Sequence, residues 1–341
     1  MSATVLDKAW LRARARAHNL HALGVTTVEQ LDAALPPPLR PSTLSSTMRS
    51  VVVVVRGGYR GLAWARHVPT KHFWAGRILK EVDDALGDLA ADLERAGHAA
   101  LPVLAMALDY AARNPTDLTP LGQGTYLARV AAVLAGLGTL GLNEMLLTPQ
   151  WGPRCFVGAV LTELELEPDA PLATELCPGL EACGRCAAIC PEQAIPLRQP
   201  AGASLAEVRH LDCVACARAT QPYGPATMAR HLTAALDRDS PDERWRLAKD
   251  LTTGELWQQV TMHKEGAFTA CQECAQVCPV GADYAAIQRS PHRQADLPDG
   301  VQHRRGDGWV EVQWVGPQWR WPSPAPEREG LPPLTWMQPQ R

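Results

Sequence analysis

The first 154 of 341 residues contain no cysteine, although the chain carries ten. The amino-terminal half therefore works without thiol ligands or disulfides of its own. No apolar run approaches the roughly 18 residues that a membrane helix requires. Val51 to Val55 is far too short for that and reads as a buried strand. Neither sign of charge dominates: 33 Lys and Arg against 36 Asp and Glu leave −3. That balance predicts no nucleic-acid partner engaged through bulk charge. Residues 1–20 lack both an apolar signal core and a paired-arginine export signal, which predicts a cytoplasmic protein with no membrane partner. In that compartment, cysteines are more naturally metal ligands or reactive thiols than disulfides. With 46% hydrophobic and 20% charged residues, the chain has the material for a packed core.

Nine of the ten cysteines fall between Cys177 and Cys278. Such clustering marks a specialised module set behind a larger domain. Two segments share one pattern, Cys183-Gly-Arg-Cys186-Ala-Ala-Ile-Cys190-Pro191 and Cys271-Gln-Glu-Cys274-Ala-Gln-Val-Cys278-Pro279. Both read C-x2-C-x3-C-P, the latter part of the bacterial ferredoxin run whose last cysteine serves the other cluster. A [4Fe–4S] cube needs four converging thiolates, and a tight loop supplies three of them. The proline suits the first turn of a following helix, where no amide donor is required. Cys177 lies upstream of the first repeat, across Pro178 to Ala182, and completes its set. The expected ligands are Cys177, Cys183, Cys186 and Cys278 for one cube. For the other they are Cys190, Cys271, Cys274 and Cys213, with Cys216 left over and interchangeable with Cys213 on spacing alone. Structural zinc also uses four cysteines, but it gives no reason for a C-P end on both copies.

Ahead of this module, Arg49 to Arg56 predicts a central strand. A helix is predicted from Thr70 to Ala96, its apolar residues Ala75, Ile78, Leu79, Val82, Leu86, Leu89 and Leu93 recurring every three or four positions. Thr70 is the expected cap at its start and Gly97 at its end. A strand at Leu101 to Met106 follows, so strand, helix and strand suggest an α/β layered arrangement. A helix from Thr125 to Leu134, then extended stretches Glu144–Thr148 and Cys155–Leu164, complete the domain. Between them, Gly136-Leu-Gly138-Thr-Leu-Gly141 matches the dinucleotide fingerprint. A helix precedes it where that fingerprint needs a strand. The glycines read instead as a helix stop, or as backbone kept bare for a large flat cofactor. Cys155 reads as a small buried residue or as a thiol lining such a pocket.

The stretch from Ala135 through Asn143, Thr148-Pro-Gln-Trp-Gly-Pro-Arg154, Gly158 and Thr162, followed by the cysteine module, resembles the epoxyqueuosine reductase and reductive dehalogenase superfamily. The resemblance covers roughly residues 45–285. It implies an α/β nitroreductase-like corrinoid-binding domain (1–165), a bacterial two-[4Fe–4S] ferredoxin-like domain (166–289) and a Trp- and Pro-rich carboxy-terminal strap (290–341). It also implies base-off cobalamin, lined by Gly136, Leu137, Gly138, Thr139, Gly141, Asn143, Thr148, Cys155, Gly158 and Thr162. The implied activity is oxidoreduction: electrons pass through two clusters to the cobalamin, which reduces a small organic substrate. The alternative is an electron-transfer or corrinoid-activating protein without substrate chemistry of its own. A low-potential donor such as ferredoxin or flavodoxin would be the partner. Gly122 stands where epoxyqueuosine reductases carry a catalytic aspartate, and a helical tRNA-binding tail has no room. The chain therefore looks closer to the cytosolic dehalogenase-like branch, which uses a tyrosine acid. Of Tyr59, Tyr110, Tyr126, Tyr223 and Tyr284, Tyr126 and Tyr110 are the candidates. In the tail, Val310, Val312 and Trp314 alternate with Glu311 and Gln313, predicting a short strand.

Overall fold

The computed structural model describes residues 6–35, 40–63, 68–103, 126–190, 192–196, 211–212, 215–216, 232–248, 271–289, 300–305, 308–315 and 318–320. Chain order is α1 (Lys8–Ala17), β1 (Ala22–Thr27), α2 (Val28–Ala34), β2 (Ser50–Gly57), α3 (Val68–Arg95), β3 (Ala100–Val103), α4 (Tyr126–Leu134), β4 (Thr139–Leu140), β5 (Leu146–Leu147) and β6 (Cys155–Thr162). The cysteine-rich part carries α5 (Gly179–Ala182), α6 (Arg185–Ile189), α7 (Pro241–Ala248), α8 (Glu273–Gln276) and α9 (Ala282–Arg289). After it come β7 (Gly300–Arg305), β8 (Gly308–Val315) and β9 (Gln318–Arg320).

The core is a mixed α/β sandwich. The sheet runs β1-β2-β6-β3 with every neighbouring pair antiparallel. The valine run forms β2, buried along its whole length, because a strand covered on both faces needs no polar alternation. Val52 and Val54 pack with Leu11 of α1 and Val82, Leu86, Leu89 and Leu93 of α3. Val51, Val53 and Val55 pack on the opposite face with Leu31 of α2 and Leu127, Ala128 and Ala131 of α4. The strands on either side of α3 are not neighbours: β6 pairs with both β2 and β3 and separates them.

Local signals fix the helix ends. Asp7 accepts from the Trp10 amide at 2.8 Å at the start of α1, and Thr27 with Gln30 forms a capping box on α2. Helix α3 begins at Val68, two residues before the expected cap Thr70, and ends where Gly97 takes φ +95°. There the His98 amide returns to the Leu93 carbonyl at 3.1 Å. The strand expected over Leu101–Met106 is observed as Ala100–Val103, its last residues lying outside the described set. The tail strand appears as β8, flanked by β7 and β9.

A buried carboxylate ties α1 to α3. Asp92 receives Arg14 Nε at 2.6 Å and Nη2 at 2.7 Å, lies 2.8 Å from His18 Nε2, and is also paired with Arg95. The Arg14 hydrogen bond chiefly holds its pKa far below the free value of 3.8. The depressed carboxylate stabilises the native state above its unfolded pKa, and that stabilisation is lost as pH falls from 3.8 toward the lower native value. Asp92→Asn should cost about 2 kcal/mol in urea unfolding at neutral pH. It should also flatten the acid limb of the stability–pH curve.

Candidate functional site

The glycine turn after α4 leads into the β4–β5 hairpin and inserts it into the cysteine-rich part. Gly136 takes φ +69°, and a Cβ there would collide with the Ala170 carbonyl. A Cβ on Gly138 would collide with the Leu147 carbonyl across the hairpin. Leu142, 1% exposed, packs among Ala187, Cys190, Ala194, Ile195 and Ala215, with Cys177, Cys186, Cys216 and Cys274 around that cluster. The front domain thus supplies part of the wall around the thiols.

Those thiols form two adjoining groups that meet through Cys186, Cys274 and Cys278. Cys186 lies within electrostatic reach of Cys274 as well as of Cys278, Cys177 and Cys183, and both Cys183 and Cys278 of Cys177. Cys177, Cys183, Cys186 and Cys278 line a void of about 20 Å³ that Gly141, Leu142 and Asn143 close from the front domain. Cys274 lies within reach of Cys216, Cys190 and Cys278, and Cys271 of Cys274 and Cys190. Helix α6 carries Cys186 into the first group, and Cys190 at its end turns to the second. Helix α8 carries Cys274 into the second group, and Cys278 beyond it turns to the first. Cys213 lies outside the described residues, whereas Cys216 lies within electrostatic reach of Cys274.

Burial pushes these thiols up: Cys278 to about 12, with Cys183, Cys186, Cys271 and Cys274 also raised. Neighbouring thiols raise them further. Such a set ionises readily only when a bound cation compensates the charge. No group of three or more His, Cys, Asp or Glu among the described residues is arranged for a single metal ion. A polynuclear cluster spreads its ligands over several irons, and cysteines that are buried or half-buried in two adjoining sets suit that chemistry. The Ala194 amide donates to Cys190 Sγ at 3.2 Å, the type of contact that tunes such clusters.

A second junction joins β6 to the second repeat. Arg154, 9% exposed at its side chain, donates from Nε to Asp283 Oδ2 at 2.9 Å and from Nη2 to Oδ1 at 2.7 Å. It also donates to the carbonyls of Ala275 (3.1 Å), Cys278 (2.8 Å) and Val280 (2.6 Å). Gly152, at φ +52°, abuts the Val280 carbonyl with no room for a Cβ. The Ala282 and Asp283 amides donate to the Pro149 and Gln150 carbonyls at 2.9 Å each. Beside this junction opens a cleft of about 50 Å³, lined by Gly58, Tyr59, Met145, Arg154, Cys155, Phe156 and Gln276 among others.

The residues expected to line a corrin are mostly occupied by protein. Besides Gly136 and Gly138, Gly158 faces Leu86 of α3 with no space for a side chain. Leu137 is packed in the α4-side core. Thr139 Oγ1 accepts from the Leu176 amide at 3.1 Å, Thr148 Oγ1 donates to the Gly152 carbonyl at 3.3 Å, and Thr162 Oγ1 donates to the Ala99 carbonyl at 2.9 Å. Gly141 and Asn143 face the first thiol group. Cys155 does line the cleft, its thiol pushed up to about 12 by burial. Small-molecule pockets span about 300–1,000 Å³, so the described residues do not fit a corrin. The glycines were legible as places of close approach, but protein carbonyls and side chains make the approach.

Tyr110 lies outside the described residues, as does the side chain of Tyr126. Sequence reasoning passed over Tyr59, which lines the cleft and accepts from Arg56 Nη2 at 3.1 Å. Its signal was an aromatic directly beyond the end of the central strand. Arg154 was legible as part of a segment, but its partners stand more than 120 residues away in sequence.

No family model matches the chain. It is 43% identical over 76 residues to the tetrachloroethene reductive dehalogenase of Dehalobacter restrictus, covering 22% of this chain and 14% of the relative. It is 39% identical over 57 residues to the epoxyqueuosine reductase of Listeria monocytogenes, covering 17% and 14%. Similar solved structures include a catabolic reductive dehalogenase with 3-bromo-4-hydroxybenzoic acid, at TM-score 0.49, 17% identity and 82% and 33% coverage of the two chains. Another is an epoxyqueuosine reductase with an epoxyqueuosine-modified tRNA stem loop, at TM-score 0.40, 17% identity and 63% and 57% coverage. Short stretches of the chain are thus similar to reductive dehalogenases and epoxyqueuosine reductases, the two groups its sequence resembles, and these curated relatives are reductases. The match spans 14% of each of the two curated relatives. One expectation is corrected: the expectation of no nucleic-acid partner does not stand beside a curated relative that is an epoxyqueuosine reductase, a kind of enzyme that has been solved with a tRNA stem loop. No helix among the described residues is long and apolar enough to cross a membrane.

Proposed function

We propose that the chain is a two-cluster iron–sulfur oxidoreductase that feeds electrons toward the cleft between the front domain and the second cysteine repeat. The observation that carries this is the gathering of eight cysteines, Cys190 buried and the others half-buried, around two adjoining centres. Cys177, Cys183, Cys186 and Cys278 would hold one [4Fe–4S] cluster. Cys190, Cys216, Cys271 and Cys274 would hold the other, Cys216 taking the place first given to Cys213. The clusters supply one-electron transfer. The chain's own residues keep them dry and adjacent: Leu142 seals the space between them, and Arg154 holds the Cys278 loop. Tyr59, whose oxygen is held by Arg56, leaves its own O–H free to give a proton to a reduced substrate in the cleft. The division into a front domain over 1–165, a cluster domain over 166–289 and a strap from 290 belongs to the same reading.

Its finer form is cobalamin-dependent reduction of an organic substrate. The filled glycine turn favours the second form, an electron-transfer or corrinoid-activating protein. Anaerobic purification with added cobalamin separates the two. Iron with about one cobalt per chain supports the first, iron without cobalt supports the second, and absence of iron contradicts both. If the first form holds, Tyr59→Phe should lower reductase turnover on the order of 10²-fold while leaving cluster content unchanged; the second form predicts no such activity to lose.

A further inference from the structure

Glu144, in the turn between β4 and β5, holds φ at +56°. Glycine and asparagine adopt that left-handed backbone far more readily than glutamate, so the surroundings must enforce it. Within the turn, the Glu144 amide donates to the Gly141 carbonyl and the Gly141 amide to the Met145 carbonyl, each at 2.9 Å. From α4, Arg129 Nη1 donates to the Glu144 carbonyl. The side chain leaves the front domain altogether: Oε1 accepts from the Leu211 amide at 2.9 Å. Leu211 opens the segment that leads to Cys216. Next to it, the Asp212 amide donates to the Ala194 carbonyl at 2.9 Å, just beyond Cys190. The Asp212 carboxylate accepts from the Ala215 amide at 2.9 Å, and its carbonyl from the Cys216 amide at 2.9 Å, the pattern of a capped turn. That turn brings Cys216 to the wall it shares with Leu142, Cys190 and Cys274.

We propose that Glu144 is a positioning residue through which the front domain delivers Cys216, the fourth ligand, to the second cluster. The proposal rests on the reading that Cys190, Cys216, Cys271 and Cys274 hold that cluster. Three of those four belong to the two C-x2-C-x3-C-P repeats, whose short loops place them. Cys216 belongs to neither repeat, so its segment needs anchors of its own, and the Glu144 carboxylate and the Ala194 carbonyl supply them. A carboxylate that accepts from a backbone amide makes a charge-assisted bond, stronger than a neutral one. The left-handed backbone thus sits where the front domain grips the ligand-bearing segment, and the second cluster is complete only with the front domain in place.

The test is the iron and sulfide content of the full, anaerobically purified chain, with electron paramagnetic resonance after dithionite reduction, for wild type, Glu144→Gly and Glu144→Gln. Glycine suits the left-handed backbone but has no acceptor to offer Leu211. Glu144→Gly should therefore keep about half of the wild-type iron and give the spectrum of one isolated cluster. Glutamine keeps an oxygen at the same reach, so Glu144→Gln should keep the wild-type iron and the spectrum of two clusters. Full iron in Glu144→Gly, loss from both groups alike, or equal iron in the two variants would overturn the proposal. Should Glu144→Gly yield no soluble chain, Glu144→Asn takes its place, since asparagine tolerates this backbone and its shorter side chain stops short of Leu211. About half the iron of Glu144→Gln is then the expected result, and equal iron overturns the assignment. Wild-type chain without iron would overturn the cluster reading itself, which the same assay reports separately.

Discussion

Cys216→Ser is expected to remove about half of the iron bound per chain, while Cys213→Ser leaves the iron intact. The two cysteines stand three positions apart and are equivalent on spacing. Cys216, the one of the two among the described residues, lies within electrostatic reach of Cys274 and packs against the cluster of Leu142, Cys190 and Ala215. A cluster that loses one of four thiolates keeps an open iron site and becomes labile, and serine is a poorer ligand for it. The half that remains should be the cluster of Cys177, Cys183, Cys186 and Cys278, giving the resonance spectrum of one isolated cluster. Iron and sulfide assays on both variants check this. Half-loss in Cys213→Ser with full retention in Cys216→Ser would reverse the assignment.

Arg154→Met should lower stability by about 3–5 kcal/mol, because it strands a buried carboxylate and three carbonyls together. Asp283 is 8% exposed at its side chain, so water cannot replace the guanidinium. The carbonyls of Ala275, Cys278 and Val280 bracket the end of the second repeat. Loosening that segment frees the one ligand it contributes to the first group, so iron should pass to an external chelator faster than in wild type. Arg154→Lys, which keeps the charge and loses the planar fork, should fall between the two. Urea unfolding and the chelation rate measure both effects. Equal stability and equal chelation in Arg154→Met would show that the junction does not hold the loop.

Much of the cluster region is legible in the sequence because its chemistry is local. Each C-x2-C-x3-C-P repeat brings its own cysteines close together, and on the proposed assignment the exchange of Cys190 and Cys278 between groups would follow from where α6 and α8 end. The layered front domain is legible in the valine run and in the spacing of Ile78, Val82, Leu86, Leu89 and Leu93. The insertion of β6 between β2 and β3 is not, since pairing across the sheet depends on segments about 100 residues apart. The glycine turn misleads for a specific reason. Bare backbone is required wherever something approaches closely, and Gly138 meets a carbonyl of its own hairpin as a cofactor-binding glycine would meet a ligand. Asn143 likewise reads as a lining residue near the turn, while its place at the void of Cys177, Cys183, Cys186 and Cys278 emerges only when the hairpin enters the module.

The most direct test of the central claim is the metal and sulfide content of the anaerobically isolated full chain, with Mössbauer spectra of ⁵⁷Fe-enriched protein. The account predicts about eight iron and eight acid-labile sulfide per chain, all in [4Fe–4S] form. Stoichiometric zinc, or oxidised cysteines with no iron, would contradict it.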